Sequence, residues 1–444
     1  MRLVLMVLGV LFFGLLVWVG ITRLDPDFGW HIKTGEYTAV SGVDRTDRFT
    51  YTLADFAWVD HEWALNIGMY KMWQKWGMPG EAVAFAVVGI LALGVMVWAG
   101  GKKWMMMSAM LTMAIWLPRA GVRPQILDWL FLGLIIWGKK KWWWPILFLI
   151  WVNMHGGFAI GIGVGLVLVV FGRKVKDWLA WGLSVGTTFI NPYGWRIWEE
   201  VWRQATDGNL RWSIAEWQPF YARVELGFLM MLVMVWVLVW RYKKVVVKWQ
   251  MAVLAGLTVA GLTSMRHIAL FAVMAGPMIG QGFLRLEKEV VKDKLSEGRM
   301  KIFGRIFAGL AILVLIMEVL IQILSGFSYP KEAVSWLRQE ELQGQVFSKY
   351  DWGGYLIWQY PEKKVFVDGR TPSWRTKDKW IFKEYLKAVN DGKWQEVFEK
   401  YNVQTVLWSV EKDKDEAEKD FPKRLEKAGW RTVYKDNGAV VMVK

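Results

Sequence analysis

Residues 3–31 read LVLMVLGVLFFGLLVWVGITRLDPDFGWH, and this stretch decides the class of fold. About twenty mostly apolar residues are enough for a helix that crosses a bilayer, and the run 3–22 has that length. Asp25, Asp27 and His31 follow directly, so polar side chains stand where the helix leaves the membrane. No small-x-small cleavage site follows the run, which favours an uncleaved transmembrane helix over a signal peptide.

Ten further apolar segments follow along the chain, so the sequence predicts a polytopic α-helical membrane protein with about eleven transmembrane helices. The predicted spans are 3–22, 82–100, 104–118, 125–138, 142–154, 157–172, 177–191, 226–241, 249–264, 267–283 and 305–325.

Clusters of Lys and Arg occur at every second turn between these segments, at 102–103, 139–141, 173–176, 241–248 and 285–305. Such clusters mark the cytoplasmic side of a membrane protein. They account for the formal net charge of +15, so the charge needs no nucleic-acid partner. We therefore expect a multi-pass protein of a prokaryotic plasma membrane, with a cytoplasmic N-terminus and an extracytoplasmic C-terminal domain.

The pattern changes after residue 326. We expect a transmembrane domain over 1–326, with a large first outer loop at 23–81, and an extracytoplasmic α/β domain over 327–444. Its predicted strands are Gln345–Ser348, Lys364–Asp368, Thr405–Ser409, Arg431–Lys435 and Ala439–Val443, and its predicted helices are 330–340, 376–389, 391–401 and 411–428. The chain has no cysteine, which excludes disulfides, zinc–thiolate sites, iron–sulfur clusters and cysteine nucleophiles.

The first outer loop holds the strongest candidates for chemistry. Asp25 and Asp27 stand two residues apart at the membrane surface. Two such carboxylates can hold a divalent cation through oxygen ligands, or one can act as a general base. The alternative is an acidic N-cap of an interfacial helix over 28–40. The loop also contains four further candidate ligands or acid–base groups: His31, Asp60, His61 and Glu62.

Other predicted outer turns carry single polar groups. The planar fork of arginine suits a phosphate, which makes Arg119, Arg123 and Arg266 candidates, although each alone could be an interfacial arginine that reaches towards water. His155, Glu216 and His267 lie in the same set of turns. Five of these outer turns could line one cavity.

The stretch Asp25-Pro26-Asp27-Phe28 resembles the first outer loop of GT-C glycosyltransferases, and in particular of the catalytic subunit of oligosaccharyltransferase, where an Asp-Pro-x-Phe stretch supplies a catalytic, metal-binding aspartate. The segments 349–355 (KYDWGGY) and 365–371 (VFVDGRT) are similar to that subunit's Trp-Trp-Asp-Tyr-Gly motif and the Asp-Gly segment after it. A group of prokaryotic membrane proteins shares these features and the Asn191-Pro192-Tyr193-Gly194 turn.

The resemblance implies a glycosyltransferase that takes a sugar from a polyprenyl-phosphate-linked donor at the outer face, with the lipid tail between the helices. Asp25 or Asp27 would be the general base or would hold Mg²⁺ or Mn²⁺. The donor phosphate would be bound by Arg119, Arg123, Arg266 and His267. The acceptor, a glycan, lipid or protein, would be bound or covered by Asp351, Trp352, Tyr355, Asp368 and Arg370, which as ordinary domain structure would instead form turns.

Two departures limit the resemblance. Lys349 and Tyr350 replace the two tryptophans of the tail motif, and the second outer loop at 119–124 lacks an Asp-x-Asp type pair. Protein N-glycosylation is therefore not expected. Two other functions compete: a transporter or flippase for a lipid-linked or anionic substrate, coupled through the intramembrane Glu318, and a non-catalytic membrane scaffold.

Overall fold

The computed structural model describes residues 2–100, 104–138, 140–291, 294–324, 328–340, 342–410 and 416–444. Lys102, Lys103 and Lys139 of the predicted cytoplasmic turns lie outside the described residues, as do 411–415 of the predicted helix 411–428.

The described chain is mostly helical. Its α-helices are α1 (Arg2–Thr22), α2 (Phe28–Ser41), α3 (Trp63–Gly100), α4 (Met105–Trp116), α5 (Ile126–Trp137), α6 (Trp144–Val152), α7 (Phe158–Gly172), α8 (Val175–Thr187), α9 (Arg196–Thr206), α10 (Leu210–Ser213), α11 (Leu226–Arg241), α12 (Lys248–Thr263), α13 (Ile268–Val290), α14 (Lys294–Leu324), α15 (Lys331–Gln339), α16 (Gly353–Gln359), α17 (Ile381–Val389), α18 (Trp394–Tyr401) and α19 (Glu416–Lys427). Short 3₁₀ helices lie at Leu117–Arg119, Ala215–Trp217, Phe220–Ala222, Met265–His267, Tyr350–Trp352 and Thr371–Ser373. The strands are β1 (Gln345–Ser348), β2 (Val403–Ser409), β3 (Arg431–Lys435) and β4 (Ala439–Val443).

Each segment predicted to span a membrane overlaps one of these helices. Among the described residues, three helices are both long and apolar enough to cross a bilayer: Trp63–Gly100, Met265–Val290 and Lys294–Leu324. Four shorter apolar helices are Met6–Thr22, Ile126–Trp137, Phe158–Gly172 and Leu226–Arg241. The helices agree with a membrane protein, while the number of crossings and the orientation of the termini stay predictions.

The chain divides into two compact units. One comprises Met1–Leu24 and Lys75–Gly326, and the other comprises Asp25–Gln74 and Phe327–Lys444. We call them the helical unit and the mixed unit. Most of the loop predicted at 23–81, which was expected to belong to the domain 1–326, lies in the mixed unit. The reason is direct bonding: Tyr51 donates to the carbonyl of Val346 and Thr52 donates to that of Phe366.

Helix α13 forms the centre of the helical unit, and its residues from Ile268 to Gly280 are buried. Pro277 has no N–H, so the carbonyl of Val273 one turn earlier loses its helical donor. The indole of Trp137 donates to that carbonyl at 3.1 Å. The indole of Trp116 likewise donates to the carbonyl of Ala269. Tryptophan N–H groups thus satisfy backbone groups inside an apolar core, which avoids the cost of burying them unpaired.

The mixed unit contains a four-stranded sheet in the order β1-β2-β4-β3, with β1 parallel to β2 and the other pairs antiparallel. Four of the five predicted strands are present. The prediction of a strand at Lys364–Asp368 is wrong, because Val365 forms only one isolated bridge, to Thr50. The carbonyl of the following residue, Phe366, accepts a hydrogen bond from the hydroxyl of Thr52 at 2.7 Å. A side chain therefore replaces the backbone donor that would have extended the ladder.

Candidate functional site

Asp25 and Asp27 form a local turn at the start of α2 in the mixed unit. The backbone N–H of Asp27 donates to Asp25 Oδ1 at 2.9 Å, and the N–H of Phe28 donates to the carbonyl of Asp25. Asp27 occupies the N-cap position of α2, but its side chain makes no capping hydrogen bond. Of the two acids predicted as possible N-caps, Asp25 accepts a backbone N–H at the start of α2, whereas Asp27 makes no capping hydrogen bond. Both side chains are partly exposed.

Glycines of the two tail motifs pack against this turn. A Cβ atom on Gly354 would stand 2.1 Å from the carbonyl oxygen of Pro26, and one on Gly369 would stand 1.7 Å from Asp27 Oδ1. Any side chain at these positions would collide with the Asp-Pro-Asp turn. The three motifs that carried the resemblance thus meet at one place in the mixed unit, although more than 300 residues separate the Asp-Pro-Asp turn from the two tail motifs.

Arg370 and Asp368 form a buried ion pair beside this turn. The guanidinium donates to both oxygens of Asp368, at 2.8 and 2.7 Å, and lies 3.1 Å from Asp47. It also lies 4.6 Å from the ring of Trp58 and 5.0 Å from that of Trp374. Burial favours loss of the proton, but Asp368 and Asp47 outweigh it and raise the pKa of Arg370 above its ordinary value. The group is permanently charged, and its Nη1 atom is buried without a hydrogen-bond partner among the described residues.

The residues predicted to bind or cover an acceptor are mostly interior. Trp352, Tyr355, Asp368 and Arg370 are all buried. The indole of Trp352 donates to the carbonyl of Ser328, and Tyr355 stacks on Tyr329. Burial raises the pKa of Tyr355 to about 12, with a smaller contribution from Glu332. Asp351 is partly exposed. This placement favours a structural role for the four buried residues over direct contact with an acceptor.

Four other predicted candidates do come together, around a residue that the sequence analysis missed. His31 Nδ1 lies 2.7 Å from Asn66 Oδ1, and Asn66 donates to Asp60 Oδ2 at 2.9 Å. Glu62 lies 3.8 Å from both His31 and His61. Gly35 permits the contact: a Cβ there would stand 2.0 Å from the carbonyl of Asn66, one turn along α2 from His31. Asn66 carries no sequence signal because an isolated amide on a helix is common.

Within this network, the carboxyl group of Asp60 has an unusual pKa. Burial raises the pKa of Asp60 to about 6, against the opposing effects of the Glu62 N–H, the Asn66 amide and the charge of Arg370. A buried carboxyl group that titrates near neutrality is a candidate acid–base or structural switch.

In the helical unit, Arg119 is fully engaged. Its two terminal nitrogens donate hydrogen bonds to Glu225 at 3.0 and 2.8 Å, and its remaining N–H groups donate to the carbonyls of Ile115 and Met265. All five donors of the guanidinium are used. Arg119 therefore fastens three segments of the helical unit together and offers no free donor to a phosphate.

Arg123, Arg266 and His267 lie with Glu216 in one cluster of the turns that were predicted to be outer. Arg123 donates to Glu216 at 2.9 Å, and Arg266 lies 4.7 Å from the ring of Trp217. The segment carrying Glu216 and Trp217 is tied to the turn of Arg266 by a bond from the N–H of Met265 to the carbonyl of Gln218.

The cluster keeps some bonding capacity. Among the described residues, Arg266 makes no hydrogen bond or ion pair, and His267 Nδ1 is buried without a hydrogen-bond partner. Burial favours protonation of Glu216, but Arg123, Arg266 and Arg119 outweigh it and lower the pKa of Glu216. The sequence places Trp217 beside Glu216 in a predicted outer turn but does not distinguish it from the other tryptophans, of which the chain has 33 in all.

The remaining candidates lie elsewhere in the helical unit. His155 is buried and pairs with Asp128 at 2.8 Å, and the indole of Trp151 donates to the same carboxylate. This arrangement anchors the ends of apolar helices. Glu318 is half-buried on α14, where the charges of Glu225, Arg119 and Arg223 act on it.

No cluster of three or more His, Asp or Glu side chains arranged for a metal ion occurs in the part of the chain that the structure describes. Mg²⁺ is often held by one or two carboxylates, with water and substrate phosphates as the other ligands. The Asp25–Asp27 turn fits that donor set.

The fold matches solved membrane glycosyltransferases. The chain superposes on the apo oligosaccharyltransferase of Archaeoglobus fulgidus with a TM-score of 0.60 and 14% identity, over 91% of this chain and 69% of that one. It superposes on the same organism's AglB, in complex with an inhibitory peptide and a dolichol-phosphate, with a TM-score of 0.60 and 14% identity, over 99% and 74%. ArnT from Cupriavidus metallidurans, bound to undecaprenyl phosphate, gives a TM-score of 0.56 and 14% identity, over 98% and 97%.

No protein-family model and no curated protein sequence matches the chain. At this level of identity the superpositions establish the fold, which is that of GT-C membrane glycosyltransferases. The resemblance predicted from the three short motifs is confirmed.

Proposed function

We propose that this protein is an integral membrane glycosyltransferase that transfers a sugar from a polyprenyl-phosphate-linked donor to an acceptor on the extracytoplasmic face. The observation that carries the proposal is the packing of Asp27 and Pro26 against Gly369 and Gly354 within a GT-C fold. At two positions, Gly354 and Gly369, only glycine fits against the acidic turn. Such construction is expected where the geometry of a carboxylate matters.

Asp25 is the proposed general base, because its partly exposed side chain is oriented by the N–H of Asp27. It would take the proton of the acceptor hydroxyl as that oxygen attacks the anomeric carbon. Asp27 is set firmly against Gly369 and would position Asp25 or share a divalent cation with it. A bound cation would supply charge stabilisation for the donor phosphate.

Arg266 and Arg123 are the proposed phosphate ligands, and the engaged Arg119 is excluded from that role. Arg266 has donors to spare and is held by stacking on Trp217. A preorganised cation of this kind stabilises the charge that develops on a leaving phosphate. The sequence gives the three arginines equal weight, and the difference in their hydrogen bonds supports this choice.

The test is transfer by the purified full-length protein. Radiolabelled polyprenyl-phosphate sugars would be incubated with the protein and a membrane extract, and both transfer and donor hydrolysis would be measured. Asp25→Asn should lower turnover by about 10²-fold or more, the usual contribution of a general base. Asp55→Asn is the matched control, since Asp55 is an exposed acid of the same loop. Equal turnover by wild type and Asp25→Asn would refute the assigned base.

A further inference from the structure

A cleft opens between α11, α12 and α13 in the helical unit, far from the proposed donor site. Arg266 and His267 precede the first residue of α13, whereas the cleft lies near the last turns of that helix. It encloses about 300 Å³, including the space at its mouth, a volume at the lower end of the range for ligand sites. We call it the Arg285 cleft, after the one arginine in its lining.

Arg285 is a cation without a protein partner in this cleft. Among the described residues it makes no hydrogen bond and no ion pair. The acid one turn further along α13, Glu289, is bonded instead by Arg241 at 3.0 Å and by the hydroxyl of Tyr242 at 3.1 Å. The donors of the Arg285 guanidinium are therefore available to a ligand, and their planar arrangement suits a phosphate.

The lining of the cleft combines polar groups with an apolar wall. Val235 and Leu238 of α11 and Met278 of α13 form part of the wall. Gln250 lines the same cleft, and its side-chain oxygen accepts the N–H of Val247 at the start of α12. A cation beside an apolar surface fits an anion that carries a hydrocarbon chain better than it fits a free ion.

Arg285 lies at the level where lipid headgroups are expected. The span Met265–Val290 is long and apolar enough to cross a bilayer. Arg285 stands 17 residues after Ile268, and at about 1.5 Å per residue this is about 26 Å along the axis. The hydrocarbon core of a bilayer is about 30 Å thick. The donor cluster and the cleft are therefore at opposite ends of one membrane-length helix.

The turn beside the cleft is strongly basic. It joins α11 to α12 and was predicted to be cytoplasmic, and three of its lysines are exposed: Lys243, Lys244 and Lys248. Basic pockets between transmembrane helices at the cytoplasmic side are sites for anionic lipid headgroups. The charge of the surroundings thus agrees with that of the free guanidinium.

We propose that the Arg285 cleft binds one anionic phospholipid of the bilayer, with its phosphate on Arg285 and part of an acyl chain against the apolar wall. The inference is independent of the proposed sugar transfer and of the donor site. A zwitterionic phospholipid carries an ammonium group that Arg285 and the three lysines would repel, so the site discriminates between lipids by charge.

The test is lipid binding by the full-length protein in a non-ionic detergent, counted by native mass spectrometry. Dioctanoylphosphatidylglycerol is the anionic probe, and dioctanoylphosphatidylcholine is the zwitterionic control with the same chains. Wild type should retain one molecule of the anionic lipid in preference to the other. Arg285→Gln should lower the affinity for the anionic lipid about tenfold or more, because a charged hydrogen-bond donor is lost.

Two further variants make the result specific. Arg299→Gln removes the same charge from an exposed position of α14 that was predicted to lie on the same side of the membrane, and it should leave the affinity unchanged. Gln250→Glu keeps an acceptor for the Val247 N–H and adds a negative charge to the cleft. It should weaken binding of the anionic lipid, which gives a second readout if Arg285→Gln does not fold.

Four outcomes would overturn the proposal. The first is equal binding of the anionic lipid by wild type and the folded cleft variants, and the second is equal affinity of wild type for the two lipids. The third is displacement of the lipid by inorganic phosphate at the same concentration, which would make free phosphate the ligand. The fourth is a loss of lipid on Arg266→Gln but not on Arg285→Gln, which would place the lipid at the other end of α13.

Discussion

Gly369 lies so close to Asp27 that a Cβ atom on the glycine would stand 1.7 Å from the Oδ1 atom of the carboxylate. The two residues are 342 positions apart in the chain, yet the space for one is set by the absence of a side chain on the other. The Asp-Gly-Arg segment is therefore part of the support of the acidic turn. Because these short motifs contact one another in the fold, they can jointly carry a resemblance to one family although they lie far apart in the sequence.

Gly369→Ala should disturb the acidic turn directly. The added methyl group must push Asp27 or the backbone aside, and overpacking of this kind costs about 1–3 kcal/mol. We expect a lower melting temperature and a loss of sugar transfer. Gly68→Ala is the matched control, because a Cβ at Gly68 meets no atom within 4 Å and alanine is the better helix former. Normal transfer by Gly369→Ala would show that Asp27 needs no fixed position.

Arg370→Gln should destabilise the mixed unit. The substitution leaves Asp368 and Asp47 as buried carboxylates without their counter-ion, and breaking a buried pair from one side costs about 3–5 kcal/mol. Calorimetric unfolding and limited proteolysis would measure the effect. Arg375→Gln serves as the comparison, because Arg375 is exposed and lies 4.3 Å from the ring of Trp380. Similar melting temperatures for the two variants would contradict the importance of the buried pair.

The stability of the protein should depend on pH through Asp60. Burial raises the pKa of Asp60 to about 6, above its ordinary value of 3.8, so the folded state binds the proton more tightly than the unfolded state does. The resulting stabilisation is present below the ordinary value and is lost as the pH rises through about 6. The difference corresponds to about 3 kcal/mol.

Asp60→Asn removes this titration. Relative to the variant, wild type should lose stability between pH 4 and pH 7, and thermal unfolding at a series of pH values would measure the change. Asp55→Asn, at an exposed position, should run parallel to wild type. A constant difference between wild type and Asp60→Asn across this range would show that Asp60 titrates normally.

Local sequence patterns predict much of the architecture. The features that they do not predict all depend on contacts between distant segments of the chain. Apolar length located the helices, and alternation located β1, β2, β3 and β4. The assignment of residues 25–74 to the mixed unit depends on bonds such as Tyr51 to Val346, which join distant segments and leave no local signature. The same holds for Asn66, which connects His31 to Asp60. Residue type identifies the candidate site residues, but the role of each depends on the residues that it contacts in the fold.

Arg119 and Arg266 show this most clearly, and they give the last prediction. Arg119→Lys keeps the charge but loses the planar fork that binds Glu225 and the bonds to two carbonyls. It should lower the melting temperature of the protein markedly. Arg266→Lys loses only stacking on Trp217 and a set of unused donors, so it should leave the melting temperature nearly unchanged while weakening the binding of farnesyl phosphate. Thermal unfolding and calorimetric titration of both variants separate the roles. If Arg119→Lys instead melted like wild type and failed to bind phosphate, the assignment of the two arginines would have to be exchanged.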